Sequence, residues 1–511
     1  MNGAESLVHT LLAAGVDTCF ANPGTSEMHF VAALDRIPGM RCVLALQENT
    51  VTGAADGYAR MTDRPAATLL HCGPGLANGL ANLHNGRRAG THIVNCVGDQ
   101  ATYHRPLDAP LTADTEGFAR AVSSWVRSSA HAGDVGRDAA AAVQAAQTEG
   151  GGIATLILPS DTCWDEGGVV GAPLPRPTPA ALDPHAVQQA AQALRSGAPS
   201  LLLLGGRALR EEALALAAAI CAATGARMLA QTSNGRMQRG AGRHRIERVP
   251  YAVDAAVAEL SDLSHLVLVG SVRPVGFFAY PGKPSRMEPD TCATHVLSRP
   301  QQDPLAALRA LAESLGAAPV PVPATARPAP ATGAVTSEAV AQTLAALLPD
   351  DAIVVDESVS FGRAFSAHSQ GAARHDWLQL TGGAIGDGLP LATGAAIACP
   401  GRRVVTLQAD GSGMYTLQAL WTQARERLDV TTVILANRKY QILLGEYRNV
   451  GANPGRTAMD MMDLGNPDLD WISLAKGMGV EGARAASMEQ LNDLLSQANA
   501  RPGPFLIELA C

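Results

Sequence analysis

Short apolar runs, many of them β-branched, alternate along this chain with Ala- and Leu-rich stretches whose apolar positions recur every three or four residues. Thr18-Cys19-Phe20-Ala21, Cys42 to Leu46, Ala66 to Leu70 and Ile93 to Val97 predict strands in the first third. Leu201 to Leu204 and Leu266 to Val269 predict strands in the middle, and Ile353-Val354-Val355, Val404 to Leu407 and Thr431 to Leu435 predict them in the last part. Between the last two runs, Leu417, Leu420, Trp421 and Ala424 repeat at helical spacing. Uniformly apolar strands separated by helical stretches belong to parallel sheets covered on both faces, so the expected class is α/β.

Two Pro/Gly-rich stretches, residues 167–184 and 317–332, interrupt the alternation and read as extended linkers. Three domains follow, 1–166, 185–316 and 333–511, each with a mostly parallel sheet flanked by helices. The first and third are expected to share an architecture. The middle one, with Gly205-Gly206 and Gly270 directly after strands, resembles a dinucleotide-type fold without a complete G-x-G-x-x-G.

At 511 residues with 47% hydrophobic and 17% charged content, the chain can bury several cores. A net charge of −8 gives no basis for nucleic-acid or membrane-surface binding. The start, Met1-Asn2-Gly3-Ala4-Glu5-Ser6, has neither the basic residues nor the apolar run of a signal peptide, so a cytoplasmic location is expected. Nine cysteines without a C-x-x-C pair argue against a disulfide framework or a zinc site. Cys72 alone stands beside candidate chemistry, and even there packing is the simpler expectation.

The chemistry concentrates at strand ends. Asp410-Gly411-Ser412 follows one predicted strand and Asn437 the next, 27 positions on from Asp410. That βαβ unit places both side chains at the carboxyl edge, where open α/β sheets bind ligands. A carboxylate, an amide oxygen, a backbone carbonyl and phosphate oxygens form the hard oxygen set that Mg²⁺ prefers. An Asp-Gly pair alone would be an ordinary helix-capping turn; the second strand-end residue tips the reading towards a metal and diphosphate site. Glu48 opens a helical stretch after the second strand, and His71 closes the third.

Leu44-Ala45-Leu46-Gln47-Glu48, Gly53-Ala54-Ala55-Asp56-Gly57-Tyr58-Ala59-Arg60, Asn22-Pro23-Gly24-Thr25, Asp410-Gly411-Ser412 and Asn437 together resemble the thiamine-diphosphate enzymes of the acetolactate synthase and benzoylformate decarboxylase group. The resemblance runs over essentially the whole chain, to Gly503-Pro504-Phe505-Leu506-Ile507-Glu508. It implies a pyrimidine-binding first domain and a diphosphate- and metal-binding third domain. Glu48 matches the residue that bonds the aminopyrimidine ring nitrogen, Ile385 the wedge between the two cofactor rings, and Gly383 the carbonyl facing the exocyclic amine. Asp410, Asn437 and the Lys439 carbonyl match the Mg²⁺ ligands. Pro23, Gly24, Thr25, Val359, Ser360, Gly411, Ser412 and Tyr440 match cofactor-holding positions. His71 matches an active-site histidine of benzoylformate decarboxylase, and His104 falls near the paired histidines of pyruvate decarboxylases.

The departures bear on substrate. Phe277 stands where benzoylformate decarboxylase has a second catalytic histidine, and Leu443, after Ile442, stands where pyruvate decarboxylases have a glutamate. Neither can carry a proton. With Phe278 they imply an apolar substrate side. Ala409 and Ala436 replace the usual Gly and Asn beside the metal motif without touching a ligand. The resemblance therefore implies cleavage or formation of a C–C bond next to a carbonyl, on a 2-oxo acid and possibly with an aldehyde acceptor. It also implies a homodimer or homotetramer with active sites at the subunit interface. The alternatives are a flavin- or NAD-dependent oxidoreductase working through the middle domain, and a non-catalytic relative.

Overall fold

The computed structural model describes residues 1–511. Eighteen strands form three sheets. The first sheet contains β1 (Thr18–Ala21), β2 (Arg41–Leu44), β3 (Ala66–Leu70), β4 (His92–Asp99), β5 (Trp125–Ser128) and β6 (Gly152–Pro159), in the order β2-β1-β3-β4-β6-β5 and parallel throughout. Every residue of β1, β3 and β6 is buried, as expected of strands covered on both faces. The edge strand β2 is shorter than the predicted Cys42–Leu46, and Cys42 is exposed on it.

The middle sheet consists of β7 (Ser200–Leu204), β8 (Arg227–Ala230), β10 (Glu247–Arg248), β11 (His265–Val269) and β12 (Ala293–Ser298), in the order β10-β8-β7-β11-β12. The strand between β8 and β10 in sequence, β9 (Met237–Arg239), leaves this sheet. It pairs antiparallel with β14 (His375–Gln379) in the third sheet, so the middle segment lends a strand to its neighbour. Arg239 anchors it: its guanidinium is fully buried and donates to Ser369 Oγ (2.8 Å) and to the Ser366 (2.7 Å) and Ile246 (2.8 Å) carbonyls.

The third sheet adds β13 (Ala352–Glu357), β14 (His375–Gln379), β15 (Val404–Ala409), β16 (Val430–Ala436), β17 (Glu481–Ala485) and β18 (Phe505–Ala510). Its order, β17-β18-β16-β15-β13-β14-β9, read from the β14 side without β9, repeats that of the first sheet. Numbering the six strands of each by position in sequence gives 2-1-3-4-6-5 twice. The expected likeness of the two ends of the chain is therefore one of topology.

The helices Glu48–Thr62 and Gly388–Ala398 join the two sheets. Their residues Ala54, Ala55, Tyr58, Leu391, Ala392 and Ala395 share one apolar core with β3, β4 and β13. Beneath them lies a buried ionic group in which Arg60 Nε donates to Asp56 Oδ1 (2.8 Å), Arg60 Nη1 donates to the Gln379 carbonyl (2.7 Å), and Asp387 stands 3.7 Å from the guanidinium. No strand or helix falls within 317–332, and the first predicted linker, 167–184, is free of them up to its last residue, Pro184, which starts the helix Pro184–Arg195. No helix is long and apolar enough to cross a membrane.

Candidate functional site

The shared topology arranges the predicted site residues in two matching sets. In the first sheet, Pro23-Gly24-Thr25 follows the first strand, Glu48 the second, His71 the third, and Gln100 to His104 the fourth. In the third sheet, Val359-Ser360 follows the first strand, Gly383-Ile385 the second, Asp410 the third, and Asn437 to Tyr440 the fourth. All eight segments lie beyond the carboxyl ends of parallel strands.

Glu48 begins the helix Glu48–Thr62, where a carboxylate suits the positive end of the helix dipole. It is 8% exposed, and its Oε2 accepts from Asn78 Nδ2 at 3.0 Å. Gly75 separates it from His71: a Cβ there would lie 3.2 Å from Glu48 Oε1 and 3.3 Å from His71 Cβ. Cys72 starts the helix Cys72–Ala89, with a left-handed φ of 53°. Its Sγ lies 3.1 Å from Ser26 Oγ, and burial pushes its thiol up to about 11, so packing is its evident role. His71 and His104 line one cavity of about 260 Å³ with Thr25, Ser26, Gln100, Tyr103 and Trp164. Gly24 makes room for the imidazole, since a Cβ there would lie 2.1 Å from the His71 ring. Pro23 is exposed on the same turn.

In the third sheet, Asp410 is 3% exposed and burial raises its carboxyl above the ordinary range. Its Oδ1 accepts from the Gly411 N–H (2.8 Å) and its Oδ2 from the Arg438 N–H (2.6 Å). The Arg438 guanidinium pairs with Asp468 at 3.4 Å, so Asp410 makes no ion pair and feels the Arg438 charge only at longer range. Arg438 is left-handed (φ 58°), which bends the chain so that Asn437 Oδ1 meets the Lys439 N–H at 3.1 Å. The Lys439 carbonyl accepts no hydrogen bond within the chain. A Cβ on Gly411 would lie 2.6 Å from the Tyr440 ring, and the Ser412 hydroxyl donates to the Ala409 carbonyl (3.2 Å) and accepts from Gln408 Nε2 (2.6 Å). Val359 has φ 53° and, with Ser360, leads into the turn Phe361–Ala364.

The loop carrying Gly383 and Ile385 is held from both sides. Asn85 Nδ2 donates to the Ala384 carbonyl (2.7 Å) and Asn82 Nδ2 to the Gly386 carbonyl (3.0 Å). From below, the buried Glu357 accepts the Gly386 N–H (2.6 Å) and the Gly388 N–H (2.5 Å). Burial raises the Glu357 carboxyl, opposed by those two N–H groups and Gln408. Glu357 lies outside the motifs that the sequence presents, although an acidic residue closing an apolar strand is a visible signal, and Glu27 lies outside them too.

The four predicted apolar residues divide. Phe277 reaches the loop, its Cζ 2.5 Å from where a Gly383 Cβ would sit, and it packs on Phe278 (centroids 5.0 Å) and Tyr251 (5.6 Å). Ile442 and Leu443 lie on the helix Gln441–Asn449, none of whose residues is buried. From that helix Glu446 turns to the middle segment and accepts from Tyr280 Oη at 2.7 Å. Burial, with Glu446 alongside, pushes the Tyr280 phenol up to about 12.

A larger cavity, about 810 Å³, opens at the carboxyl edge of the middle sheet beside Gly206 and Gly270. Its arginines are largely neutralised by the chain itself: Arg207 pairs with Glu149 (3.1 Å), Arg210 with Asp63 (3.2 Å) and Arg236 with Asp376 (2.6 Å).

Residues 1–119 match the family model described as thiamine pyrophosphate enzyme, N-terminal TPP binding domain, and residues 362–509 match the corresponding C-terminal TPP binding domain. The chain is 52% identical over 512 residues to the acetolactate synthase large subunit-like protein IlvX of Mycobacterium tuberculosis, covering 100% of this chain and 99% of that one. It is 29% identical over 526 residues to the benzoylformate decarboxylase of Pseudomonas aeruginosa, covering 97% and 96% of the two chains. The solved thiamine diphosphate-dependent 4-hydroxybenzoylformate decarboxylase of Rhodococcus jostii RHA1 superposes with a TM-score of 0.85 at 24% identity, covering 100% of this chain and 99% of that chain, a likeness of fold.

Proposed function

The chain belongs to the thiamine pyrophosphate enzyme family, and we propose that it uses thiamine diphosphate with Mg²⁺ to decarboxylate an apolar 2-oxo acid or to join its acyl fragment to a second carbonyl. The observation that carries the metal reading is the buried Asp410 carboxylate, which makes no ion pair and stands beside a Lys439 carbonyl that accepts no hydrogen bond. A desolvated carboxylate is costly unless compensated; Asp410, Asn437 and the Lys439 carbonyl would hold a divalent ion, which would supply that charge.

When bound, thiamine diphosphate supplies a carbon nucleophile and an electron sink next to the substrate carbonyl. Gly411, Ser412, Val359, Ser360 and Tyr440 hold its diphosphate end, and Pro23, Gly24 and Thr25 line the opposite side. The Gly383 carbonyl and Ile385 orient the aminopyrimidine, while Glu48 holds a proton at its ring nitrogen. His71 and His104 handle protons on the substrate side. Phe277 and Phe278, exposed in the single chain, offer an apolar surface and favour a substrate with an apolar side chain. Glu446, paired with Tyr280, is the acidic side chain of the helix that carries Ile442 and Leu443. The family resemblance implies a homodimer or homotetramer whose sites lie between the first sheet of one subunit and the third sheet of its partner.

The test is to incubate the protein with thiamine diphosphate, Mg²⁺ and a panel of 2-oxo acids and aldehydes, recording CO₂ release and coupled products. CO₂ release that requires both cofactor and Mg²⁺, and is greatest with apolar side chains, is the expected result. Turnover unaffected by chelation removes the metal role, and a yellow protein with a flavin spectrum favours the oxidoreductase instead.

A further inference from the structure

Glu27 lies beneath His71 and is 3% exposed. Its Oε2 accepts the Gly24 N–H at 2.9 Å and faces His71 Nδ1 at 3.0 Å; its Oε1 accepts the Ser26 hydroxyl (2.5 Å) and stands 3.3 Å from the same nitrogen. No lysine or arginine bonds to it, so His71 is the only group beside it able to carry positive charge. A carboxylate accepts only, which obliges Nδ1 to be the N–H and leaves Nε2 with its lone pair. Nε2 has no partner within the chain, and His71 lines the cavity shared with His104. The other charged or titratable groups around the ring are Glu48 across Gly75, Cys72, His104, and Asp99 paired with Arg105 at 2.6 Å.

We propose that Glu27 is the positioning residue for His71: it fixes the Nδ1–H tautomer, aims Nε2 at the substrate and stabilises the imidazolium formed when Nε2 takes a proton. In that step the N–H bond forms at Nε2 while an O–H bond of a substrate-derived hydroxyl breaks, its electron pair remaining on oxygen. The Nδ1–H stays with Glu27, and the proton returns by the reverse path. A buried carboxylate and an imidazolium are together neutral, so the pair charges at little cost in a site that excludes water. This assignment rests on His71 being the proton-handling group of a thiamine diphosphate site. It explains why Gly24 must lack a side chain: the imidazole occupies the space a Cβ would fill.

The experiment uses the full chain with thiamine diphosphate and Mg²⁺, labelled with [¹⁵N]histidine, the His71 signals being identified by their loss in His71→Gln. Solid-state ¹⁵N spectra should show an Nδ1–H, Nε2-unprotonated ring in the parent protein. Glu27→Gln, whose amide can donate to Nδ1, should switch the ring to the Nε2–H tautomer and lower kcat roughly 100-fold with KM changed less than about threefold. Glu27→Asp should keep the tautomer and recover part of kcat. An Nε2–H tautomer in the parent protein overturns the proposal without reference to any variant, as does an unchanged kcat in a folded Glu27→Gln. A cobalt titration giving a thiolate-to-metal absorption band that Cys72→Ser abolishes also overturns it, since Glu27, His71 and Cys72 would then be metal ligands. Calorimetry on the parent protein separates the two readings: failure to bind thiamine diphosphate removes the proposed function, while the tautomer still tests the dyad.

Discussion

His71 and Asp410 occupy the same station in two copies of one sheet topology, each directly following the third strand of a 2-1-3-4-6-5 sheet. One copy presents titratable groups and the other presents the hard oxygen groups of Asp410, Asn437 and the Lys439 carbonyl. If the active site needs Glu48 from one subunit and Asp410 from another, two inactive variants should rescue each other. Glu48→Gln and Asp410→Ala should each be inactive alone. Co-refolded in equal amounts they should recover about a quarter of parental activity, because half of a random dimer population is mixed and each mixed dimer has one intact site. No recovery in mixtures shown by native mass spectrometry to contain mixed dimers would place both residues in a site made by one subunit.

The contact that docks the first sheet on the third depends on glycine at two points. A Cβ on Gly57 would lie 2.1 Å from the Leu391 carbonyl oxygen, and one on Gly394 would lie 1.8 Å from that of Ala54. Backbone cannot yield as a side-chain tip can, so Gly57→Ala should destabilise by about 3 kcal/mol or more. Gly445→Ala is the contrast: it sits in the half-buried helix Gln441–Asn449 with nothing within 4 Å of its Cβ, and alanine there should stabilise by about 0.5–1 kcal/mol. Urea titrations of the two variants read the difference directly, and similar midpoints would refute the packing argument.

Gly383 and Phe277 make a second pair in which a small residue admits a large one. Gly383 has φ 81°, and a Cβ there would lie 2.5 Å from Phe277 Cζ. Gly383→Ala should therefore weaken cofactor binding about tenfold or more, through both backbone strain and displacement of the ring. Adding Phe277→Leu should recover part of that loss, since it clears the ring but leaves the strained φ. Phe277→Leu alone should shift the preference towards 2-oxo acids with bulkier side chains, measured as a ratio of kcat/KM values. An unchanged ratio would detach Phe277 from the substrate.

Nine of the eighteen strands, the fold class and the strand-end positions of Glu48, His71, Asp410 and Asn437 were legible because buried parallel strands are written as short apolar runs, and the candidate site residues follow them directly; the other nine strands, the fully buried β6 among them, were not read as strands. Departures arose where tertiary structure overrode local signal. Met237-Gln238-Arg239 is too short and polar to read as a strand, and it exists because β14 offers an open edge and Arg239 finds four buried oxygen or ring partners around it. Cys72-Gly73-Pro74-Gly75 reads as a turn, yet it starts a helix, since Pro is tolerated in a first turn where no N–H partner is needed. Glu27 and Glu357 acquire meaning only once the His71 ring and the Gly386 loop are folded over them. Glu446 has no fixed direction until Tyr280, 166 positions away, is brought to it.

The borrowed strand has a pH-dependent hold. His375 begins β14 opposite Arg239 of β9, is fully buried, and donates from Nδ1 to the Ala373 carbonyl at 2.8 Å, while Nε2 finds no partner. Burial pushes its imidazolium down to about 4, with Arg239 and Arg243 adding to that direction and Asp376 opposing it. The unfolded chain takes up a proton as pH falls through about 6.5, whereas the folded chain does not until about 4. Within that window the unfolded state binds more protons, so stability falls as pH falls, by about 3 kcal/mol at most from this residue. His375→Asn retains an N–H donor without a titration in that range, so it should lower stability near pH 7 yet flatten its dependence between pH 6.5 and 4. Urea midpoints across that range test this, and a slope as steep in the variant as in the parent would show that other groups set the acid sensitivity. Hydrogen exchange should locate the effect, with amides of Met237–Arg239 losing protection in the parent at pH 5 before those of β15 and β16.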